Sequence, residues 1–264
     1  MKKYFLFLAT ILCSHSYIQA QFSKLPIGKK IHLTVETNNV TDVSILDQHM
    51  QMLSDMFMQS TLEVKAVTQN GYTLELIAKR MKLAFSMMGN EQKIDTDSIA
   101  DKSDTLVSKA FEFINKPQTI VVENGIIVFR TKLVEVNAMN NNVEDLNKFF
   151  LTIEPNNYKQ GYQWTDSTID GGIKLTNKYT IMNVSASEVE VNVNVDLMLQ
   201  STTKQGGVDI KQNVKGFGTA KRKYNKLTSI LINEVSSIDM NGTAETFEMT
   251  TPIIMKLKYK TTVQ

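Results

Sequence analysis

Alternating side chains in the stretch from Asp47 to Met88 constrain the fold of this chain most strongly. Asn70-Gly71 divides the stretch, and this dipeptide favours the tight turn of a two-residue β-hairpin because both residues tolerate positive φ. A period of two places the residues of one parity on one face of an extended strand. On the first arm these residues are Met50, Met52, Met56, Met58, Leu62, Val64 and Ala66. The stretch therefore predicts a long hairpin whose second strand covers residues 72–87.

Residues 44–58 also fit an amphipathic helix, so two interpretations compete over this segment. The apolar residues at helical spacing are Ile45, Leu46, Met50, Leu53, Met56 and Phe57, together with His49. We favour the strand, because it continues without a break into residues 61–67. That continuation alternates clearly and is rich in residues typical of strands.

The N-terminus has the pattern of a secretory signal peptide. Lys2 and Lys3 precede an apolar run that ends at Cys13, and a polar stretch then leads to Ala20. We expect cleavage after Ala20 and export to the periplasm or the extracellular space as a soluble protein. No later run approaches the roughly 20 apolar residues of a membrane-spanning helix. Leu12 is not the small residue that lipid attachment at Cys13 requires.

The charge balance does not favour nucleic acid as a partner. The chain has 29 basic and 27 acidic residues, and Lys2 and Lys3 are lost with the leader, so the mature chain is close to neutral. A neutral chain lacks the basic patch expected of a protein that binds nucleic acid or anionic membranes. Cys13 is the only cysteine, so the mature chain has no disulfide. A chain of this length can bury enough surface to fold without one.

Upstream and downstream of the hairpin, the first half mixes strands with two predicted helices. Alternation around Leu33 predicts a strand that begins near Gly28 and leaves His32 on the surface, and residues 39–47 are interpreted as a connection. Residues 89–101 are polar and predicted to form a loop. Apolar stripes predict helices at residues 103–115 and 143–150. Between them, Glu123-Asn124-Gly125 is the turn of a second hairpin.

The aspartates of the polar loop do not form a calcium site of the EF-hand type. Asp95, Asp97 and Asp101 are oxygen donors, but position 99 is isoleucine and no glycine follows to make the sharp turn. We therefore interpret the segment as a solvated loop.

Residues 161–264 are predicted to be almost entirely β, after a boundary at residues 154–160. Glycine-rich turns separate six strands, and one of these turns is placed at Asn241-Gly242. The basic run Lys221-Arg222-Lys223 could contact anionic lipid or polysaccharide, but we favour its interpretation as a solvated turn. The predicted strands cover residues 162–167, 173–184, 188–199, 208–222, 227–238 and 247–259.

These elements predict a mainly β fold with a few helices, in the α+β class. We expect a large curved antiparallel sheet, or a two-lobed partial barrel, with the helices packed across its concave face. The expected organisation is a signal peptide at residues 1–20, an N-terminal β half at 21–160 and a C-terminal antiparallel β half at 161–264.

Several short motifs accompany this organisation. They are Gly28-Lys29-Lys30, the Met/Gln-rich arm from Gln48 to Gln59, Asn70-Gly71 followed by Lys79-Arg80-Met81-Lys82, Met88-Gly89, Asp97-Ser98, Val122-Glu123-Asn124-Gly125, Pro155 and Gly161-Tyr162-Gln163-Trp164. With them the chain resembles a secreted Bacteroidota family described as domain of unknown function 6263. Tyr162 departs from the acidic residue more common in that family. The resemblance implies an exported β-rich protein with no established activity, and its layout is similar to that of periplasmic lipoprotein-carrier half-barrels.

No residue pattern indicates catalysis, a metal or a cofactor. His32 and His49 are the only histidines after the leader, and no acidic or cysteine partner stands at ligand spacing from them. A Gly-x-Ser-x-Gly elbow is absent from the sequence. Gly216-Phe217-Gly218 falls within a predicted strand, where a bulge or close packing explains it better than phosphate binding. We therefore expect a protein that is not an enzyme.

Methionine is concentrated on the long hairpin, where seven of the 13 methionines after the leader lie between positions 50 and 88. These side chains could fill an irregular core or line an adaptable cavity for an apolar ligand. Trp164 could anchor the core or provide a stacking platform. The candidate ligand-binding residues are Met50, Met52, Met56, Met58, Phe85, Met87 and Trp164. The predicted function is an exported binding protein for a lipid or other hydrophobic ligand, and the alternative is a non-catalytic envelope scaffold that binds a protein partner.

Overall fold

The fold was analysed in a computed structural model. It describes residues 25–45, 48–68, 71–98, 114–123, 126–131, 146–170, 172–205, 208–246 and 249–264. The predicted signal peptide and residues 103–113 of the first predicted helix lie outside these ranges.

Twelve strands account for most of the described residues. They are β1 (Lys30–Ile45), β2 (Gln48–Val67), β3 (Gly71–Met87), β4 (Asn90–Asp95), β5 (Pro117–Glu123), β6 (Ile126–Arg130), β7 (Gln163–Asp170), β8 (Ile173–Val184), β9 (Glu188–Gln205), β10 (Val208–Asn225), β11 (Leu231–Glu245) and β12 (Thr250–Val263). Two short 3-10 turns, Leu146–Phe149 and Pro155–Asn157, lie between β6 and β7.

All twelve strands belong to one antiparallel sheet. Its order is β6-β5-β3-β2-β1-β12-β11-β10-β9-β8-β7, and β4 pairs with β3 beside this path. The strands of the first half and those of the second half form two contiguous parts, which meet where β1 pairs with β12 from Leu33↔Val263 to Val43↔Ile253. The division of the chain into halves at residues 154–160 stays a prediction.

The long hairpin predicted at residues 47–88 is confirmed. β2 and β3 pair from Met52↔Met87 to Val67↔Tyr72, so the strand interpretation holds over the part of residues 44–58 that the structure describes. The prediction of a connection at residues 39–47 was wrong. β1 continues to Ile45 because it pairs with β2 along its whole length, as far as Ile45↔Gln48.

The prediction of helices packed across a concave face was wrong, and so was the assignment to the α+β class. Among the described residues there is no α-helix, and strands dominate. Of the predicted helix at 143–150, the structure describes one 3-10 turn, Leu146–Phe149, followed by a β-bridge from Phe150 to Ile230. An apolar stripe alone could not distinguish a helix from a short irregular segment held by tertiary packing.

Two further predictions were wrong for local reasons. Residues 90–95, predicted as loop, form β4, whose pattern has only one buried apolar side chain, Ile94. Asn241-Gly242 is not a turn but lies inside β11, where Gly242 pairs with Val214 and Ile253. A Cβ at Gly242 would lie 2.1 Å from the carbonyl oxygen of Asn213, so close backbone approach explains this glycine.

The sheet has one apolar and one polar face, because alternation and register agree across the strands. The apolar face contains the buried core, to which β1 contributes Leu33 and Val35 and β9 contributes Val193. Residues 146–158, here called the cap segment, cover one half of this face with Phe149 and Tyr158 among their buried side chains. The core cluster contains residues from strands at both sides of the sheet together with the cap segment.

Hydrogen bonds attach the cap segment to the connection between β10 and β11. Leu151 donates its backbone N–H to the carbonyl oxygen of Ser229 at 2.8 Å. The hydroxyls of Tyr158 and Ser229 are 2.9 Å apart, and Tyr224 donates its hydroxyl to the carbonyl oxygen of Lys148 at 3.0 Å. The cap segment is therefore fixed by polar contacts as well as by apolar burial.

Candidate functional site

The predicted methionine group lies on the apolar face of β2 and β3. Met52 stands opposite Met87, and Ser54 stands opposite Phe85, so their side chains share one face. Met58 is buried at the edge of the capped half, whereas Phe85 and Met87 are each 39% exposed. Met50, Met52 and Met56 are half-buried.

The same apolar surface continues across the sheet beyond the two strands found from the sequence. The row that contains Met52 and Met87 continues through Thr41 on β1 to Met255 on β12 and Met240 on β11. We call the uncapped half of this face the open apolar surface. Its large apolar side chains, all half-buried or exposed, are Met50, Met52, Met56, Leu83, Phe85, Met87, Ile253, Met255, Leu257, Ile238, Met240, Leu197, Leu199, Leu175 and Ile173.

Sequence reasoning missed the β8 to β12 part of this surface, although a signal was present. On β12, Ile253, Met255 and Leu257 alternate with Ile254, Lys256 and Lys258. This alternation identifies a strand with one apolar face. Only the register, which pairs β12 with both β1 and β11, shows that the face continues the methionine row.

Trp164 lies on the same face but far from the methionine group along the sheet. It is on edge strand β7, with six strands between β7 and β2. Its ring stacks on Tyr179 with centroids 4.6 Å apart and an interplanar angle of 3°. Tyr179 donates its hydroxyl to Asp166 at 2.6 Å. Burial raises the pKa of Tyr179, and this hydrogen bond raises it further. These contacts favour the anchoring interpretation of Trp164.

A buried ion cluster separates the capped half from the open apolar surface. Glu234 lies 2.7 Å from the Lys148 ammonium of the cap segment and 3.0 Å from Nε of Arg222. All three side chains are less than 10% exposed. The Lys148 ammonium also lies 3.6 Å from the ring centroid of Tyr259. Burial alone raises the pKa of Glu234, but the two cations lower it below its ordinary value.

The interpretation of Lys221-Arg222-Lys223 as a solvated turn was wrong. These residues lie inside β10, where alternation sends Arg222 to the buried face and its two neighbours to the polar face. Lys223 pairs there with Glu190 at 2.9 Å. The sequence signal for this arrangement was the alternation that continues to Tyr224, which is also buried.

A groove of about 1080 Å³ lies on the polar face, opposite the buried core. Its side chains come from seven adjacent strands, which in sheet order are β4, β3, β2, β1, β12, β11 and β10. Phe57 and Val235 are among these side chains. Much of its charge is compensated internally, since Lys260 pairs with Glu36 at 2.9 Å and Lys82 with Asp95 at 3.5 Å. The groove therefore combines a largely apolar lining with charge pairs that compensate one another.

Asp95 and Asp97, which were predicted to lie in a solvated loop, form ion pairs with Arg80. Arg80 donates to both carboxylate oxygens of Asp95, at 2.8 and 3.2 Å, and contacts Asp97 at 2.9 Å. The hydrogen bond from Arg80 lowers the pKa of Asp95 to about 2. Asp101 lies outside the described residues.

The histidines are both exposed, which was predicted for His32. His32 lies 3.4 Å from the Thr61 hydroxyl, and His49 lies 3.5 Å from Asp42. Within the described ranges, no three His, Cys, Asp or Glu side chains converge as a metal site would require. No described helix has the length and apolarity needed to cross a membrane.

Comparisons with known proteins identify a fold but no family. No protein-family model matches the chain, and no curated protein matches its sequence. A solved structure described as "Lipid-protein interactions in lipovitellin" superposes with a TM-score of 0.59 at 12% sequence identity. The match covers 90% of this chain and 25% of that one, so the chain spans about a quarter of the lipovitellin chain. At this identity the similarity shows a shared fold.

A second solved structure is similar only weakly. An outer membrane channel from Pseudomonas putida F1 matches with a TM-score of 0.25 and 8% identity, over 93% of this chain and 98% of the channel. A TM-score this low supports no argument. The resemblance to domain of unknown function 6263 stays a prediction.

Among the surfaces described, the open apolar surface is the strongest candidate for a functional site. It joins methionine, leucine and isoleucine side chains from six of the eight neighbouring strands that run from β3 to β8 in sheet order. Large contiguous apolar surfaces on folded proteins mark binding sites, whereas charged strand faces are commonly solvated. The apolar lining of the groove on the polar face is interrupted by charge pairs such as Lys260–Glu36 and Lys82–Asp95.

Proposed function

We propose that this chain is an exported protein that binds a lipid or another long apolar molecule on its open apolar surface. The observation that supports this function is the row of Met87, Met52, Met255 and Met240 across the sheet, which is interrupted by Thr41 between Met52 and Met255. Methionine adapts to ligands of irregular or variable shape because its side chain is unbranched and polarizable. Binding would remove this surface from water, which supplies the driving force.

The dimensions of the surface suit an extended apolar ligand. Eight strands spaced about 4.8 Å apart give a width of roughly 34 Å. Neighbouring strands bring glycines to this face, and the side chains of Ile238 and Met240 lie over Gly218 and Gly216. This is the close packing predicted for Gly216-Phe217-Gly218. We further propose that the protein works by binding and release, without catalysis, outside the cytoplasm.

Replacing Met52 with lysine is expected to weaken binding of the neutral fluorophore N-phenyl-1-naphthylamine at least tenfold. The ammonium would stand in the middle of the methionine row, where ligand binding would have to remove it from water. The measurement is fluorescence titration of the purified mature protein. Leu53→Lys is the matched control, because Leu53 is the next residue of β2, is 38% exposed and points to the opposite face.

The two variants distinguish the faces of the sheet. Equal loss of affinity in Met52→Lys and Leu53→Lys would contradict binding on the open apolar surface. Failure of the unmodified protein to bind the fluorophore or any long-chain lipid tested would contradict the proposed function itself.

The alternative function, a scaffold that binds a protein partner, is favoured by a different observation. Edge strand β7 pairs only with β8 among the described strands, and most of its residues are exposed. An exposed strand edge can add a strand from a partner. Recovery of a stoichiometric protein partner that is lost when β7 is blocked with proline at Thr165 would support this alternative.

A further inference from the structure

Two buried hydroxyl groups lie beside the ion cluster, and one of them also borders the open apolar surface. Thr37 on β1 is 5% exposed and stands opposite Met56, whereas Thr261 on β12 is fully buried between Val35 and Glu234. Among the described residues, neither hydroxyl has a hydrogen-bond partner. Buried polar groups are nearly always paired, and an unpaired one destabilises the fold unless water or a ligand supplies the partner. These two positions therefore require an explanation.

Register places both threonines next to the buried ion cluster. Thr261 stands opposite Glu234 on β11, and Thr37 stands opposite Tyr259, over whose ring the Lys148 ammonium lies. Ser60, another buried hydroxyl without a partner, lies further into the capped half, opposite Leu33. Thr37 and Thr261 are thus both adjacent to the ion cluster, and Thr37, opposite Met56, also borders the open apolar surface.

The ion cluster has an excess of positive charge. Among the described side chains, Lys148 and Arg222 contact one carboxylate, that of Glu234, so these three groups together carry a net charge of +1. Asp166, another carboxylate on this face, is on β7, three strands from Arg222, and accepts hydrogen bonds from Tyr179 and Asn177. An anion placed beside the threonines would balance this charge in a region of low dielectric, where the attraction is strong.

We propose that this junction binds the carboxylate of a long-chain fatty acid or a similar anionic amphiphile. The hydroxyls of Thr37 and Thr261 donate hydrogen bonds to the carboxylate, and the cationic cluster stabilises its charge. The acyl chain extends from Thr37 along the open apolar surface toward Met52 and Met255. The seven residues of β1 from Thr37 to Val43 provide a path of about 20 Å. This inference rests on the proposed function and specifies its ligand class.

The inference is tested with palmitate and its methyl ester, which share a chain but differ in charge. Their dissociation constants are measured by displacement of N-phenyl-1-naphthylamine. The unmodified protein is expected to prefer palmitate at least tenfold. Thr37→Val is expected to weaken palmitate binding about tenfold, which is the scale of a lost hydrogen bond to a charged group, and to leave the ester unaffected.

The matched control is Thr34→Val, on the same strand but on the polar face. It should leave both dissociation constants unchanged. Thermal unfolding without ligand gives an independent readout, because removing a hydroxyl that has no partner should leave Tm unchanged or raise it. A fall in Tm of Thr37→Val would show a structural hydroxyl and would overturn the inference.

The outcomes separate this inference from the proposed function. If palmitate and its methyl ester bind equally well, and Thr37→Val does not change their ratio, the carboxylate site is overturned while apolar binding stands. If the fluorophore binds but neither compound displaces it, this inference alone fails; if the fluorophore does not bind, both the proposed function and this inference fail. A preference for palmitate that Thr37→Val removes would support both.

Discussion

Replacing Glu234 with glutamine is expected to lower the free energy of unfolding by about 3–5 kcal/mol. The carboxylate is 2% exposed and is shared by the buried cations Lys148 and Arg222. Glutamine keeps the size of the side chain but removes the negative charge that both buried cations contact. The cost of removing those cations from water is then uncompensated. Removing one member of a buried ion cluster therefore costs far more stability than removing one member of an exposed ion pair.

Urea unfolding of the unmodified protein and of Glu234→Gln measures this change in the free energy of unfolding. Glu36→Gln is the matched control, because Glu36 also forms a carboxylate–lysine pair, with Lys260 at 2.9 Å, but both side chains are about half exposed. Solvent screens such a pair, so the control should lose less than about 1 kcal/mol. A loss in Glu234→Gln as small as that of the control would contradict a stabilising ion cluster at the cap segment.

The same cluster predicts how stability depends on pH. The cations hold the pKa of Glu234 below its ordinary value of 4.5 in the folded protein. A lowered folded-state pKa contributes stability that is fully present above the unfolded-state pKa and is lost as pH falls through the folded-state pKa. The stability difference between the unmodified protein and Glu234→Gln should therefore shrink as pH decreases below about 4.5. A constant difference across this range, measured by urea unfolding at each pH, would contradict the assignment.

The strands were predictable because most of them have one apolar and one polar face. The alternation around Met52 gave both the strand and the face correctly, and β8 was predicted with its observed bounds. β1 was predicted too short because Asn39 and Thr41 interrupt the apolar parity in the middle of the sheet. Periodicity cannot detect a strand whose buried face becomes polar, since only pairing with its neighbours then defines it.

Turn signals failed where tertiary contacts required the same residue types. Asn-Gly is typical of tight turns, but Gly242 is in β11 because the backbone of Asn213 leaves no room for a side chain. No local pattern contains that information, because the neighbouring strand that restricts the space lies about 30 residues away in sequence. The prediction of a helix at residues 143–150 failed for a similar reason, because the apolar stripe near residue 149 reflects burial and does not by itself specify a helix.

The candidate site was only partly predictable. Composition located the methionine group, but its continuation to Met240 and Met255 depends on the order of β1, β12 and β11. The cluster of Lys148, Arg222 and Glu234 brings together residues from separate parts of the chain. Its members are charged, and charged residues are usually assigned to the surface in the absence of a structure. Only the sheet register and the cap segment show that they are buried partners.

Replacing Phe149 with alanine is expected to lower the free energy of unfolding by about 3–5 kcal/mol. The ring is 2% exposed and belongs to the cluster that joins the cap segment to the core strands. Its removal forfeits the burial of an aromatic side chain and leaves a cavity that neighbouring strands, fixed by their hydrogen bonds, cannot fully close. Phe149 also precedes the bridge from Phe150 to Ile230, so the loss weakens the attachment of the whole cap segment.

Phe217→Ala provides the matched control, because the same substitution is made on the polar face at a ring that is 68% exposed. We expect this variant to unfold within about 0.5 kcal/mol of the unmodified protein in urea. Similar losses in the two variants would mean that the cap segment does not cover the capped half of the apolar face. A large loss confined to Phe149→Ala would instead indicate that the cap segment closes one half of the face and thereby sets the boundary at which the proposed ligand site begins.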